Sequence, residues 1–135
     1  MSGKEDATLP TTRDDFASHD HVMSITVQQV VRELVDALGL TLVAEVAGVG
    51  ETRAVTAWMD KRAPQKPQTL RFALQLTRML CEGDDTWRAR AWFQGSNPHL
   101  DDRSPVMLLR SLPLDEIQVP LIAAARAFSD RKTPQ

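Results

Sequence analysis

The sequence predicts an all-α fold, in which a helix-turn-helix bundle is followed by a small helical subdomain. Apolar residues recur every three or four positions along most of the chain after residue 25, which is the spacing of one face of an α-helix. Residues typical of helix ends separate these runs, and no alternating apolar–polar stretch of strand length is present. A chain of 135 residues, 42% hydrophobic, suits one domain or two very small subdomains.

Composition divides the chain into three parts. Residues 1–24 are rich in Ser, Thr and Asp and have no apolar period, so we expect a disordered tail. Residues 25–83 form the predicted helix-turn-helix domain, and residues 84–132 form the predicted small subdomain.

The first three predicted helices follow from their capping residues. Thr26 caps a helix that Gly39 ends, and Thr41 caps a short second helix over 42–47. After a glycine-containing turn, a third helix is expected over about 51–62.

Two further helices precede the subdomain's central turn. Prolines in the 63–67 segment predict a stiff linker, after which Thr69 caps a fourth helix that Gly83 closes. Asp84 or Asp85 then caps a fifth helix, which is expected to extend to Phe93.

Prolines set the last helix boundaries. The pair Ser104-Pro105 predicts a helix start, because a proline at the first helical position loses no hydrogen bond, and Pro113 ends that helix. Pro120 is expected to start the final helix, over 121–128, because a proline inside a helix costs about 3 kcal/mol.

The segment over residues 40–58 has the pattern of a helix-turn-helix. Ala44 is small enough to let two helices approach closely, and Gly48 permits a sharp turn. Val49, Val55 and Trp58 are spaced to hold the second helix against the bundle. Residues 51–78 also carry six basic side chains against two acidic ones, within a chain of net charge −2.

A local basic segment of this kind is typical of a nucleic-acid contact. Arginine near the start of a recognition helix can bind guanine edges, and cations at its end can bind phosphates. We therefore predict double-stranded DNA contacts from six residues: Thr52, Arg53, Thr56, Lys61, Arg62 and Lys66. A plain bundle with a solvated third helix is the alternative, which Asp60 and the lengthened spacing from Val49 to Val55 keep open.

The stretch 91–105, AWFQGSNPHLDDRSP, continued by the leucine pair at 108 and 109, resembles the toxin-binding domain of the Xre/MbcA/ParS antitoxin family. The region 38–58 looks like the Xre-type helix-turn-helix that often precedes this domain. The resemblance covers about residues 26–130.

The resemblance implies the antitoxin of a type II toxin–antitoxin system. Such a protein binds and blocks a RES-domain toxin that degrades NAD, and it represses its own promoter as a homodimer or as a hetero-oligomer with the toxin. No cofactor is implied. The resemblance assigns toxin binding to motif positions expected to shape the domain, and to a last helix and tail expected to make closer contact: Trp92, Asn97, Pro98, Leu100 and Leu109, then Arg126, Phe128, Arg131 and Lys132.

Other functions are also consistent with the residues. A helix-turn-helix regulator whose C-terminal domain only dimerises is one alternative, and an adaptor that does not bind DNA is another. An enzyme is not expected, because no nucleophile–base set is suggested and paired aspartates in turns are usually caps. Cys81 is the only cysteine and is expected to fill the core, and no metal site is predicted. We expect a cytoplasmic protein, because neither a membrane-length apolar run nor a secretory start occurs.

Overall fold

The structure, a computed structural model, describes residues 25–81 and 86–132. All regular elements in these ranges are helical, which confirms the all-α prediction. The predicted tail, Gly83 as a helix end and the Asp84 or Asp85 cap lie outside the described residues. The described elements are α1 (Val27–Leu38), α2 (Leu40–Ala47), α3 (Thr52–Trp58), α4 (Pro67–Leu80), α5 (Thr86–Gln94), a 3-10 turn (Pro98–Leu100), α6 (Pro105–Ser111) and α7 (Leu114–Lys132).

The start of α1 is the predicted one. Thr26 Oγ1 accepts a hydrogen bond from the Gln29 backbone N–H at 3.1 Å, and Gln29 Oε1 accepts one from the Thr26 backbone N–H at 3.3 Å. Each side chain thus satisfies a donor at the helix end that would otherwise lack a partner. Gly39, with a φ of +89°, ends the helix as expected.

Two predicted caps are wrong, because a neighbouring residue begins the helix earlier. The carbonyl of Gly39 already accepts the first helical bond, from Val43 N–H at 3.1 Å, so Thr41 lies within the first turn of α2. Pro67 occupies the first position of α4, so Thr69 lies inside that helix and is buried. A proline there has the helical φ without losing a bond, which explains the earlier start.

The third helix is shorter than predicted. It ends at Trp58, and the backbone N–H groups of residues 60, 61 and 62 all point to the carbonyl of Ala57, at 3.1 to 3.2 Å. Pro64 follows closely and is buried, and a proline disfavours the helical conformation of the residue before it. Lys61 and Arg62 therefore lie in an irregular turn rather than on a helix.

The expected helix start at Pro120 is also wrong, because α7 continues through this residue. Ile117, Leu121, Ala124 and Ala125 are all at most 2% exposed, and their spacing forms one stripe that passes Pro120. Breaking the helix at Pro120 would rotate Ile117 out of that stripe. Burial of the whole stripe therefore outweighs the loss of one backbone bond.

A single hydrophobic core lies on both sides of the predicted domain boundary at residues 83 and 84. Helix α7 packs along α4, and α6 packs against α2, so elements from the two predicted domains face each other directly. Cys81 is half-buried against this core. The apolar faces of the second half are thus largely covered by the first half.

Candidate DNA-binding face and candidate protein-binding surface

The turn between α2 and α3 has the geometry that the helix-turn-helix pattern predicts. Gly48 has a φ of +75°, and its N–H bonds to the carbonyl of Glu45, while Val49 N–H bonds to that of Ala44. This paired arrangement closes the C-terminus of α2. Val55 is fully buried and Trp58 is nearly so, which holds α3 against α1 and α2.

The outward face of α3 presents the predicted polar residues to solvent. Thr52, Arg53 and Thr56 are all exposed. The Thr56 hydroxyl donates to the carbonyl of Thr52 at 3.3 Å, and Arg53 Nε lies 3.7 Å from Glu51 Oε1. Because both members of that ion pair are largely exposed, it holds Arg53 only weakly. The guanidinium is thus available to an external acceptor.

Three more cations extend this face beyond the helix. Lys61 and Arg62 are exposed in the turn after α3, and Lys66 is exposed at the N-terminal cap of α4. A Cβ placed on Gly48 would lie 3.8 Å from Lys66 Nζ, so this ammonium group sits over the α2–α3 turn. We call the six predicted residues the basic face: Thr52, Arg53, Thr56, Lys61, Arg62 and Lys66.

Asn97 organises the turn that connects α5 to α6. Its side-chain Oδ1 accepts from His99 N–H at 2.9 Å, and its carbonyl accepts from the N–H groups of Leu100 and Asp102. Its own N–H donates to the carbonyl of Arg103 at 3.1 Å. Asn97 is buried, so these bonds are shielded from water. A single residue thus holds both ends of this turn together.

Two consecutive aspartates complete the turn through their backbone conformation. Asp101 and Asp102 have φ values of +59° and +63°. Among non-glycine residues, Asp and Asn are the ones that adopt this left-handed region most readily. Ser104 then caps α6, its hydroxyl accepting from Met107 N–H at 3.3 Å, as the Ser-Pro pair predicts.

The residues assigned to toxin binding have very different exposures. Trp92, Asn97, Leu100 and Leu109 are buried, so they build the surface from below. Pro98 and Arg126 are exposed, and Phe128 is half-buried. Residues 131 and 132 belong to the last turn of α7, and the structure describes only their backbone.

A pocket of about 230 Å³ opens between α5, the 3-10 turn and α7. Four of the residues assigned to toxin binding contribute to its wall: Trp92, Asn97, Pro98 and Phe128. The other residues of the wall were not predicted: Ala91, Gly95, Ser96, His99, Ala124 and Ala127. The small side chains on α7 leave the space, and the turn forms its rim. Only a fold that brings α7 to α5 unites these residues, so no local signal could have identified them.

Within 25–81 and 86–132, no cluster of three His, Cys, Asp or Glu residues could hold a metal ion. In the same ranges, no helix combines the length and the apolar character that crossing a bilayer needs. Comparison with protein-family models, curated proteins and solved structures found no match to this chain. A function must therefore be inferred from the two surfaces themselves.

Proposed function

We propose that this protein is the antitoxin of a type II toxin–antitoxin system, which binds and blocks a RES-domain NAD-degrading toxin and represses its own promoter. The observation that carries this proposal is the hydrogen-bonded turn around Asn97. It orders residues 97–103, the centre of the segment that resembles the antitoxin family's toxin-binding domain.

The surface beside this turn suits an inhibitor. Blocking an enzyme requires a rigid shape that fits its entrance rather than reactive groups. Pro98 and Arg126 are exposed, Phe128 is half-buried beside a pocket, and buried side chains support the turn from below. Rigid surfaces with aromatic and arginine side chains are typical of tight protein interfaces.

The basic face supports the promoter-binding part of the proposal. Its four cations are exposed, and Glu51 and Asp60 are the acidic side chains nearest to them in sequence. The outward residues of α3 are uncovered, since this helix packs mainly against α1 and α2. Exposed lysines and arginines gain affinity for DNA by releasing its counterions.

Co-expression tests the inhibitory activity. The product of the neighbouring gene is expressed alone and together with this protein, and growth and cellular NAD are measured. We expect the product to be toxic and to deplete NAD alone, and to form a harmless, co-purifying complex with this protein. The charge reversal Arg126→Glu should weaken the complex. The control reversal Arg110→Glu, at an exposed position on α6, should not weaken it. A product that is harmless alone, or toxic and unbound, would refute the proposal.

A regulator whose C-terminal part only dimerises is the second candidate, favoured by the uncovered outward face of α3. It predicts binding to promoter duplex without any toxin. Replacing Arg53 with alanine should then cost about 1–3 kcal/mol of binding free energy, and sequence specificity should be lost at one base position only. Equal affinity for promoter duplex and random duplex would contradict both DNA-binding proposals. The remaining alternative would then be an adaptor that does not bind DNA.

A further inference from the structure

Two buried side-chain donors on α5 have no hydrogen-bond partner among the described residues. They are the Nε1 group of Trp92, a residue only 5% exposed, and the Nε group of Arg88. The two residues are four positions apart on α5, so they lie on the same helix face. Unpartnered buried donors are rare in native proteins, and functional sites are one place where they occur.

Arg88 is positioned by aromatic rings rather than by a carboxylate. Its guanidinium carbon lies 5.6 Å from the ring centre of Trp87 and 5.4 Å from that of Phe128, which also lines the pocket. No described acidic residue forms an ion pair with it. A partly buried guanidinium between two rings therefore retains its capacity to bind an anion.

We infer that this pocket receives an aromatic side chain of the partner protein, and that Arg88 binds a carboxylate next to that side chain. The inference rests on the proposed function, in which the partner is the toxin. A cavity of about 150 Å³ is enough to hold benzene, so a pocket of about 230 Å³ has room for an aromatic ring. Arg88 contacts the ring of Phe128, which lines the pocket, and its positive charge selects a partner segment that carries an acidic group.

The surroundings have the composition of an interface centre. Trp87 is 64% exposed although it is a large apolar residue, and its ring contacts the Arg88 guanidinium. Tryptophan and arginine are the residue types most enriched among those that dominate binding energy. On closure of a protein interface, Trp87 would cover the guanidinium and exclude water, which strengthens its pairing with a carboxylate.

A small probe tests the pocket in the full-length chain. We propose titration with 3-phenylpropionate, which joins a phenyl ring to a carboxylate, while following the tryptophan indole N–H signals by NMR. The signal of Trp92 should shift with a Kd of about 1 mM, which is ordinary for so few atoms. The neutral 3-phenylpropionamide should bind about fivefold more weakly, because it lacks the charge. Equal binding of acid and amide, or no saturable shift, would overturn the inference.

Variants separate the ring site from the charge site. Arg88→Met keeps an apolar stem over the rings and should make the acid and the amide bind equally, whereas Arg110→Met should leave their difference intact. Ala127→Phe and Ser96→Phe each replace a small residue of the pocket wall with a large ring, and each should abolish probe binding. Thermal unfolding identifies a variant that has lost its fold. Probe binding to the other, folded variant then tests the pocket.

Partner binding distinguishes this inference from the proposed function. With the toxin, the pocket-filling variants and Arg88→Met should each weaken the complex at least tenfold. If wild-type protein binds the toxin and these variants bind it equally well, the pocket inference fails and the function stands. If wild-type protein binds the probe at Trp92 but no toxin, the proposed function fails and the pocket remains a small-molecule site.

Discussion

Replacing Pro120 with alanine should stabilise the protein, although proline is an exposed residue here and alanine adds no contact. Pro120 is the seventh residue of α7, so a normal residue at this position would donate its N–H to the carbonyl of Glu116. Proline leaves that carbonyl without its helical donor and crowds it with the ring. Alanine restores the bond and removes the crowding.

The expected gain is about 2 kcal/mol. Proline is about 3 kcal/mol less favourable than alanine inside a helix. Alanine also makes the unfolded chain more flexible, which offsets about 0.4–1 kcal/mol of that gain. Because Pro120 itself is exposed, no core packing is lost by the substitution.

Thermal unfolding followed by circular dichroism measures this change. At about 4 °C per kcal/mol for a chain of this size, the unfolding midpoint should rise by about 8 °C. Val119→Ala is the matched control, because Val119 is 77% exposed on the same helix turn and should change stability by less than about 0.5 kcal/mol.

The sign of the effect decides between two forms of the last helix. If a helix began at Pro120, the proline would stand at a favourable first position and lose no bond. Its replacement would then be neutral or would destabilise the protein by up to about 1 kcal/mol. A loss of stability in Pro120→Ala would therefore refute a continuous α7.

Three further changes test the turn residues and the basic face. Gly48→Ala should cost about 1–2 kcal/mol in urea unfolding, because its positive φ strains any side chain although the nearest atoms, at 3.8 Å, leave room. Asn97→Ala should cost about 2 kcal/mol, because it removes the buried acceptor of His99 N–H, and Asn97→Asp should retain most of the stability. Replacing Lys61 and Arg62 together with glutamine should reduce the salt dependence of duplex binding by about two phosphate contacts without altering urea stability. An unchanged salt slope would exclude these two side chains from phosphate contact.

The sequence correctly predicted helix starts that depend only on contacts between residues close together in the chain. Thr26 and Gln29 form a reciprocal cap, and Ser104 with Pro105 begins α6, because such caps need only a few adjacent residues. The caps assigned to Thr41 and Thr69 failed for a related reason. Gly39 begins α2 ahead of Thr41, and Pro67 begins α4 ahead of Thr69. The threonines are typical capping residues, so the sequence predicts the helix starts at them instead.

Distant packing accounts for what the sequence could not predict. Pro120 breaks a helix by local rules, but the buried stripe from Ile117 to Ala125 keeps α7 continuous. The exposed polar face of α3 followed from its period, whereas the burial of Trp92 and Leu109 depends on helices far away in the chain. The pocket joins α5 to α7 and has no counterpart in any single segment.

The continuous core has a consequence for how the two surfaces communicate. Since α2 and α6 pack directly together, opening of either half exposes apolar surface of the other, and both halves share one unfolding equilibrium. A ligand on either surface binds only the folded form and therefore lowers the population of open molecules. Occupancy of one surface would thus slow proteolytic degradation of the entire chain, so the cellular lifetime of the protein would report whether its partner is present.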